Sequence, residues 1–277
     1  MGKKKPEFKT NRALRFYFEV LGLDRLHYGL WEDADPRTLE GVKVAQKRYE
    51  DFLFEKIKNL AENPAKTTIL DVGCGSGVMS ETLHNSGFDV EGLSPDMYQM
   101  EVFEKRLPGR FILAKFQHLV PKKKYDIVLM SESAQYIPID LLFETAGDCL
   151  PESGYLMVCD YFRKENTFGP MGKSGHKLKA FLEKAKEKGF ELIEELDITE
   201  QTTPTLDTAR MFVERYVYPT VDIIADRFQE KKPRLFKLVK WLLRKKIVKI
   251  KDDISLLNSE EFARQKRYMY FLFQKRS

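Results

Sequence analysis

The chain has 277 residues and a formal net charge of +5, with charged side chains making up 32% of it. This length suits one large domain with a substantial insertion, and the composition is typical of a globular protein with a buried core. The net charge is too small to argue for nucleic acid as a partner. The lack of any long apolar run argues against a transmembrane protein.

Cysteine and histidine usage gives no sign of disulfides or metal. Cys74, Cys149 and Cys159 form neither a paired framework nor a C-x-x-C motif, which favours a reducing, cytoplasmic location. The four histidines stand at no metal-ligand spacing, so no metal site is predicted. The basic start, residues 1–6, is not followed by an apolar stretch, which argues against a secretory signal.

Residues 10–60 are predicted to be helical with one break, as helices over 12–21 and 38–60. Between them lies His27-Tyr28-Gly29-Leu30-Trp31, an aromatic cluster around a glycine. Its rings would either face a bound cation and a substrate or pack between the two helices. The pattern leaves these alternatives equal.

The most informative stretch is Thr67–Gly77, an apolar β-rich run that ends in Asp71 and continues into glycines at alternate positions. Glycine allows backbone to approach a ligand closely at the end of a strand, where α/β folds bind nucleosides. A dinucleotide fingerprint would need its third glycine at Val78, so a nicotinamide-dependent oxidoreductase is disfavoured.

From residue 65 onward, strands alternate with helices, which is typical of a parallel α/β sheet. The strands are predicted at 67–71, 88–93, 111–114, 125–130, 155–159, 190–198 and 267–273. The helices are predicted at 78–86, 141–150, 177–188, 206–229 and 233–248.

Several segments together resemble one family. Thr67–Gly77 resembles motif I of class I S-adenosylmethionine (AdoMet) methyltransferases, and 125–137 resembles their "FDxVxSxxxxxHI" segment. The aromatic cluster resembles the "H-x-G-x-W" segment of small-molecule members, such as the tocopherol, glycine/sarcosine and cyclopropane-synthase types. The resemblance covers about residues 65–200. It implies AdoMet as cofactor and a Rossmann-like, seven-stranded, mostly parallel sheet with helices on both faces.

The same resemblance implies a set of cofactor-binding residues. Ser94 and Asp96 follow strand two, where the family binds the ribose, although either side chain would equally cap the next helix. Phe116 is expected to stack on the adenine and Gln117 to bind its edge. The complete predicted set is Asp71, Gly73, Cys74, Gly75, Gly77, Ser94, Asp96, Phe116, Gln117 and Ser131.

Four segments are predicted: an N-terminal helical part that covers the active site (1–64), the AdoMet-binding core (65–200), a helical lid (201–265) and the last strand (266–277). Within the lid, helix 231–251 is basic and amphipathic and carries a tryptophan. Such a helix either covers a pocket with a solvated outer face or lies on an anionic membrane. The two interpretations are compatible if the substrate is a lipid.

The expected reaction is in-line attack by an acceptor atom on the sulfonium methyl group, which requires alignment more than acid–base chemistry. Candidates for a base are His27, Tyr28, Glu132, Tyr136 and Asp160. The apolar character of the aromatic cluster and lid favours a lipid, isoprenoid or polyketide-like acceptor.

The alternatives are N-methylation of a small amine and a non-catalytic, membrane-associated binding protein with the same fold. The chain lacks the Asp/Asn-Pro-Pro-aromatic signature of base-methylating enzymes, so no nucleic acid partner is expected. The sequence assigns no oligomeric state.

Overall fold

The computed structural model of the chain describes residues 12–276, so the basic start at 1–6 and the final residue of the segment 266–277 lie outside the described residues. Seven strands form one sheet in the order β3-β2-β1-β4-β5-β7-β6. The strands are β1 (Thr68–Val72), β2 (Asp89–Ser94), β3 (Phe111–Leu113), β4 (Ile127–Ser131), β5 (Tyr155–Arg163), β6 (Phe190–Asp197) and β7 (Lys266–Lys275).

The first five strands are parallel to one another, and β7 runs antiparallel between β5 and β6. The predicted seven-stranded, mostly parallel Rossmann-like sheet is therefore confirmed. Because β1 pairs with both β2 and β4, the connections leaving β1 and β4 diverge at the carboxyl edge of the sheet. This is the edge at which α/β folds bind ligands.

Helices cover both faces of the sheet. They are α1 (Arg12–Arg15), α2 (Leu39–Leu60), α3 (Val78–Asn85), α4 (Met97–Phe103), α5 (Ile139–Cys149), α6 (Leu178–Glu187), α7 (Thr199–Thr202), α8 (Pro204–Phe212), α9 (Tyr218–Lys231), α10 (Pro233–Ser255) and α11 (Ser259–Gln265).

Alternate residues of the central strands supply two separate cores. Leu70 and Val128 point to one face, where they join Phe143 and Phe181 from the helices. The other face buries Tyr49, Leu53 and Ile57 of α2 against Ile69 and Leu129. Burial on both faces explains why these strands are continuously apolar in sequence.

Helix ends follow local chemistry. The hydroxyl of Thr38 accepts a hydrogen bond of 3.2 Å from the Gly41 N–H and begins α2, while Asn63-Pro64 follows its end. The predicted helix 12–21 is instead a single α turn followed by a π turn over Phe16–Val20. Helix α11 was not predicted; it begins where the side chain of Asn258 accepts from the Glu261 N–H at 2.8 Å.

The inserted segment contains α7 to α11 and a π turn at Val213–Val217 between α8 and α9. The predicted helix 206–229 corresponds to α8, this turn and α9, and 233–248 corresponds to the described start of α10. Within residues 12–276, no helix combines the length and apolarity needed to span a membrane.

Candidate active site

A cavity of about 580 Å³ opens at the carboxyl ends of β1, β2 and β4, a volume typical of a small-molecule site. Its lining comes from the N-terminal segment, the glycine loop and the three strand ends. The lining residues are Leu14, Asp24, Arg25, Leu26, His27, Glu50, Asp71, Val72, Gly73, Cys74, Gly75, Ser76, Val78, Met79, Leu93, Ser94, Pro95, Asp96, Gln99, Lys115, Phe116, Gln117, Ser131, Glu132, Ser133, Tyr136 and Ile137.

The three loop glycines have different surroundings. A Cβ at Gly73 would lie 2.4 Å from the Ser133 Cβ, and one at Gly77 would lie 2.6 Å from a ring carbon of Phe103. These two glycines therefore permit close packing within the protein. A Cβ at Gly75 would meet only the Leu26 side chain, at 3.7 Å, and the backbone there has φ of +57°. Gly75 is thus the position where a side chain would enter the cavity.

Asp71 lies at the base of this loop and is almost fully buried. Burial raises the pKa of Asp71 to about 6, although a hydrogen bond of 2.6 Å from the Ser80 hydroxyl opposes the rise. Cys74 is also buried, which raises the pKa of its thiol well above the usual value. A raised pKa favours the neutral thiol, which is a poor nucleophile, so it argues against a nucleophilic role for Cys74.

At the end of β2, Asp96 acts as a helix cap. Oδ1 of Asp96 accepts hydrogen bonds from the N–H groups of Tyr98 (2.9 Å) and Gln99 (3.0 Å), so the carboxylate caps α4. Ser94 accepts from the Asp96 N–H at 3.2 Å. Both side chains line the cavity, and their binding to a ribose stays a prediction.

Gln99 is a residue that the sequence reasoning missed. It lines the cavity, and its side-chain Oε1 is buried without a hydrogen-bond partner among the described residues. A buried acceptor of this kind normally has a partner, so a hydroxyl or N–H of a bound ligand would satisfy it. The sequence did contain a signal for Gln99. It follows Asp96 by three residues, so the two side chains lie on the same side of the first turn of the helix.

The predicted adenine end is formed by the loop after β3. Phe116 is buried, Lys115 and Gln117 flank it, and all three line the cavity. The side chain of His118 is exposed, and His118 is not one of the described lining residues.

Glu132 follows β4 and has an unusual backbone, with φ of +53°. Its Oε1 accepts hydrogen bonds from the Tyr28 N–H at 2.5 Å and from the Tyr268 hydroxyl at 2.6 Å. Its Oε2 has no hydrogen-bond partner among residues 12–276, and Glu132 lines the cavity. Burial raises the pKa of Glu132, although nearby His27 and the two hydrogen bonds oppose the rise. Strained backbone at such a position is a common feature of functional sites.

The hydrogen bonds continue behind Glu132. The hydroxyl groups of Tyr268 and Tyr49 lie 3.1 Å apart, and that of Tyr49 lies 3.1 Å from the Ser131 Oγ. Neither tyrosine was predicted as a site residue. Tyr268 comes from β7 and Tyr49 from α2, and only the tertiary fold brings them to the end of β4.

His27 stacks on the ring of Tyr49, with centroids 4.4 Å apart. Its Nδ1 donates to the Tyr28 carbonyl at 2.8 Å, and its Nε2 lies 3.4 Å from Glu50. Burial opposes a positive charge on the imidazole, but the hydrogen bond and charge of Glu50 outweigh it and raise the pKa of His27. His27 lines the cavity next to Glu50, which is itself held by Arg25 at 2.7 Å.

The remaining predicted bases lie in different surroundings. The ring of Tyr28 packs among Tyr161, Phe262 and Tyr268, with centroids 5.5 to 6.5 Å apart, so its backbone rather than its ring reaches Glu132. Tyr136 lies at the rim of the cavity and is largely exposed.

Asp160 is fully buried, and its carboxylate accepts hydrogen bonds from the N–H groups of Gln135 (3.0 Å) and Tyr161 (2.7 Å). Asp160 is not one of the described lining residues; it holds the turn that follows Glu132. Burial, then the charge of Glu132, raises the pKa of Asp160 to about 8.

Trp31, the last residue of the aromatic cluster, belongs to the core. It is buried, and its Nε1 donates to the Thr205 hydroxyl at 2.8 Å. The Gly29 N–H donates to the same hydroxyl at 3.0 Å. The cluster therefore joins the N-terminal segment to the start of α8, while His27 faces the cavity. No described residue of the predicted lid, 201–265, lines the cavity, and its covering role stays a prediction.

The described residues contain no group of three or more His, Cys, Asp or Glu side chains arranged to hold a metal ion. They do fit a nucleoside cofactor. The open space beyond Gly75 and the unpartnered Oε1 of Gln99 lie on the wall of one cavity.

Comparison with known proteins agrees with this geometry. Residues 45–201 match the model of the family described as "Methyltransferase domain". A ubiquinone biosynthesis O-methyltransferase of Pelagibacter ubique is 27% identical over 122 residues, which are 42% of this chain and 49% of the relative.

Two solved structures share the fold over nearly the whole chain. A candidate sarcosine dimethylglycine methyltransferase of Galdieria sulphuraria superposes with a TM-score of 0.74 at 15% identity, covering 96% of this chain and 99% of that one. A geranyl diphosphate C-methyltransferase of Streptomyces coelicolor has a TM-score of 0.67 at 13% identity, covering 99% and 100%. It was crystallised with geranyl diphosphate and S-adenosyl-L-homocysteine.

The chain belongs to the methyltransferase domain family, which its match over residues 45–201 establishes. At the level of that family, the predictions of an AdoMet-dependent methyltransferase and of AdoMet as its cofactor are confirmed. The match spans about half the length of the Pelagibacter relative (49%), and identity to the solved structures is low. The acceptor and the roles of individual residues therefore stay proposals.

Proposed function

We propose that the protein transfers a methyl group from AdoMet to a small, largely apolar acceptor, of lipid, isoprenoid or polyketide-like character, by in-line attack. The single observation that carries this proposal is Glu132. Its carboxylate is held by two hydrogen bonds through Oε1, while Oε2 has no hydrogen-bond partner among the described residues and lies at the cavity.

The cofactor would be held by the glycine loop and the ends of β2 and β3. Gln99 joins the predicted residues Ser94 and Asp96 at the ribose end, and Phe116 and Gln117 form the adenine end. The loop residues at the cavity are Asp71, Gly73, Cys74 and Gly75, with Ser131 at the end of β4. Gly77, which was predicted with them, is not one of the described lining residues and would act through its close packing on Phe103. When bound, AdoMet supplies a methyl group that is already activated on a sulfonium.

Glu132 is proposed to accept the proton that the acceptor atom loses. Burial brings its pKa closer to neutral pH, where a carboxylate is a more effective general base. The Tyr28 N–H and the Tyr268 hydroxyl fix its orientation, and fixed alignment is the main requirement of methyl transfer. His27 and Tyr136 are proposed to contact the acceptor from the cavity wall and the rim.

An apolar acceptor is supported by the wall and by the relatives. Leu14, Leu26 and Ile137 contribute aliphatic side chains to the cavity. The names of the relatives include a ubiquinone biosynthesis enzyme and an enzyme acting on geranyl diphosphate, two isoprenoid contexts. Such acceptors partition into membranes. We therefore also propose peripheral membrane contact through residues 231–251.

A small amine is the second candidate, because Glu132 lies among tyrosine rings. Burial, and then the charge of Glu132, raises the pKa of Tyr28 and of Tyr268 well above the usual value, so both phenols stay neutral. Neutral aromatic rings around a carboxylate favour an ammonium group.

Turnover with methyl-labelled AdoMet on two acceptor panels tests the proposal. One panel contains prenylated phenols, polyketides and lipid extracts, and the other contains small primary to tertiary amines. Label transfer to the first panel, lost in Glu132→Gln, is the expected result. Transfer to amines alone would favour the second candidate. Cofactor binding without transfer to any acceptor would favour the non-catalytic binding protein.

A further inference from the structure

Helices α9 and α10 follow one another in the chain and contact each other; we call this pair the arm and define it as residues 218–248. Phe228 of α9 and Phe236 of α10 contact each other, with ring centroids 5.8 Å apart. Beyond this contact many apolar side chains of the arm face solvent. Ile223 is 70% exposed, Leu242 is 61% exposed and Trp241 is 57% exposed. Single exposed apolar residues are ordinary, but a grouped set indicates an interaction surface.

The exposed residues of α10 form a row. Leu235, Leu238 and Leu242 are three and four positions apart, so they lie along one side of the helix. Phe236 and Val239, which lie on a different side, are partly buried. The row therefore lies away from the side of α10 that packs within the arm, where no described residue covers it.

Positive charge accompanies this row. Between Pro233 and Val248, α10 has no acidic residue and six basic ones: Arg234, Lys237, Lys240, Arg244, Lys245 and Lys246. None of the six forms an ion pair with a described residue, whereas many cations elsewhere in the chain do. Arg244 instead lies over the ring of Trp241, 5.2 Å from its centroid.

We propose that the arm docks on the surface of an anionic lipid bilayer through α10. Leucine and tryptophan side chains would enter the headgroup boundary while the lysines and arginines meet lipid phosphates. A second copy of the chain fits less well, because pairing two α10 helices would bring their unpaired positive charges together. Membrane docking does not depend on the proposed function. Only its consequence does, namely that the enzyme takes an apolar acceptor directly from the bilayer.

Tryptophan fluorescence tests the proposal directly, since the chain has two tryptophans and Trp31 is only 4% exposed. Vesicles containing phosphatidylglycerol should shift the Trp241 emission to shorter wavelength and carry the protein in flotation, whereas pure phosphatidylcholine vesicles should bind at least about tenfold more weakly. Added salt should weaken the binding. Equal binding to both vesicle types, or binding to neither, would overturn the proposal.

The variant Leu238→Glu/Leu242→Glu should lose vesicle binding, and Val120→Glu is the matched control. Val120 is 85% exposed between β3 and β4, so its replacement adds an acidic side chain away from the arm. AdoMet binding by calorimetry should be unchanged in both variants, which shows that they are folded. Undiminished flotation of the double variant would contradict the proposal, and so would a dimer in wild-type sedimentation that the double variant dissociates. Loss of vesicle binding with intact transfer to a soluble acceptor would support the docking surface and the proposed function separately.

Discussion

The hydroxyl of Tyr268 donates a hydrogen bond of 2.6 Å to Oε1 of Glu132. This contact joins the last strand of the chain to the end of β4, across the 136 positions that separate the two residues. It leaves Oε2 as the carboxylate oxygen available at the cavity. The orientation of the proposed base therefore depends on the position of β7 in the sheet.

Tyr268→Phe should lower turnover by roughly tenfold while AdoMet affinity stays within about twofold, because one hydrogen bond to the base is lost and the ring remains. The Tyr268 hydrogen bond lowers the pKa of Glu132, so its removal should raise that pKa. If the carboxylate form is the active one, the acid limb of the pH–rate profile should move to higher pH. The profile of kcat against pH is the measurement.

Tyr270→Phe is the matched control for that experiment. Tyr270 lies two residues away on β7 and is equally buried, but its hydroxyl has no hydrogen-bond partner among the described residues. Its removal should leave the pH profile unchanged and should not lower the free energy of unfolding. The same shift in both variants would refute a specific role for Tyr268.

Glu132→Gln keeps a hydrogen-bond acceptor for Tyr28 and Tyr268 but removes the basic carboxylate. Turnover should fall by about a hundredfold or more, as is typical for loss of a general base. AdoMet affinity, measured by calorimetry, should change little. Turnover within a few fold of wild type would show that Glu132 is not the base.

Gly75→Val should reduce AdoMet affinity by roughly a hundredfold, or about 2.7 kcal/mol, because the side chain would enter the cavity. Positive φ at this position also makes valine unfavourable, at a stability cost on the order of 1–2 kcal/mol. Gly109→Val separates the two effects, since Gly109 has φ of +74° and nothing within 4 Å of an added Cβ. That control should lose similar stability and bind AdoMet normally.

Gln99→Leu should change the affinity for AdoMet, whereas Asp96→Ala should change the free energy of unfolding. Gln99 has an unpartnered buried Oε1, so leucine should weaken AdoMet binding by about tenfold without lowering stability. Asp96 caps α4, so alanine should cost roughly 1 kcal/mol of unfolding free energy. Calorimetry and denaturant unfolding of both variants distinguish the two roles. Normal AdoMet affinity in Gln99→Leu would remove Gln99 from the site.

The succession of strands and helices along the chain and the position of the glycine loop could be predicted from sequence, because hydrophobic periodicity and turn residues act over short stretches. Strand ends were placed within a few residues, apart from β5, which continues to Arg163 beyond the predicted 159. Tyr49 and Tyr268 were missed because no local pattern marks a side chain that joins a site from a distant helix or strand. Asp96 illustrates a different difficulty. Its position before a helix was visible in the sequence, but a helix cap and a ligand contact have the same sequence pattern.

Stability should depend on pH through Asp160. Burial raises the pKa of Asp160 to about 8 in the folded protein, whereas an unfolded aspartate titrates near 4. The folded state therefore keeps a proton that the unfolded state has lost, and the free energy of unfolding falls as pH rises from about 4 to 8. Asp160→Asn should flatten this fall in denaturant unfolding at several pH values. An unchanged slope would show that Asp160 is ionised in the folded protein.

Calorimetric titration of the wild-type protein with AdoMet, S-adenosylhomocysteine and NAD tests the central claim most directly. We expect saturable binding of AdoMet and S-adenosylhomocysteine and no binding of NAD at the same concentrations. Gly75→Val should lose the binding of both AdoMet and S-adenosylhomocysteine. Binding of NAD alone, or AdoMet binding that survives unchanged in a folded Gly75→Val variant, would contradict it.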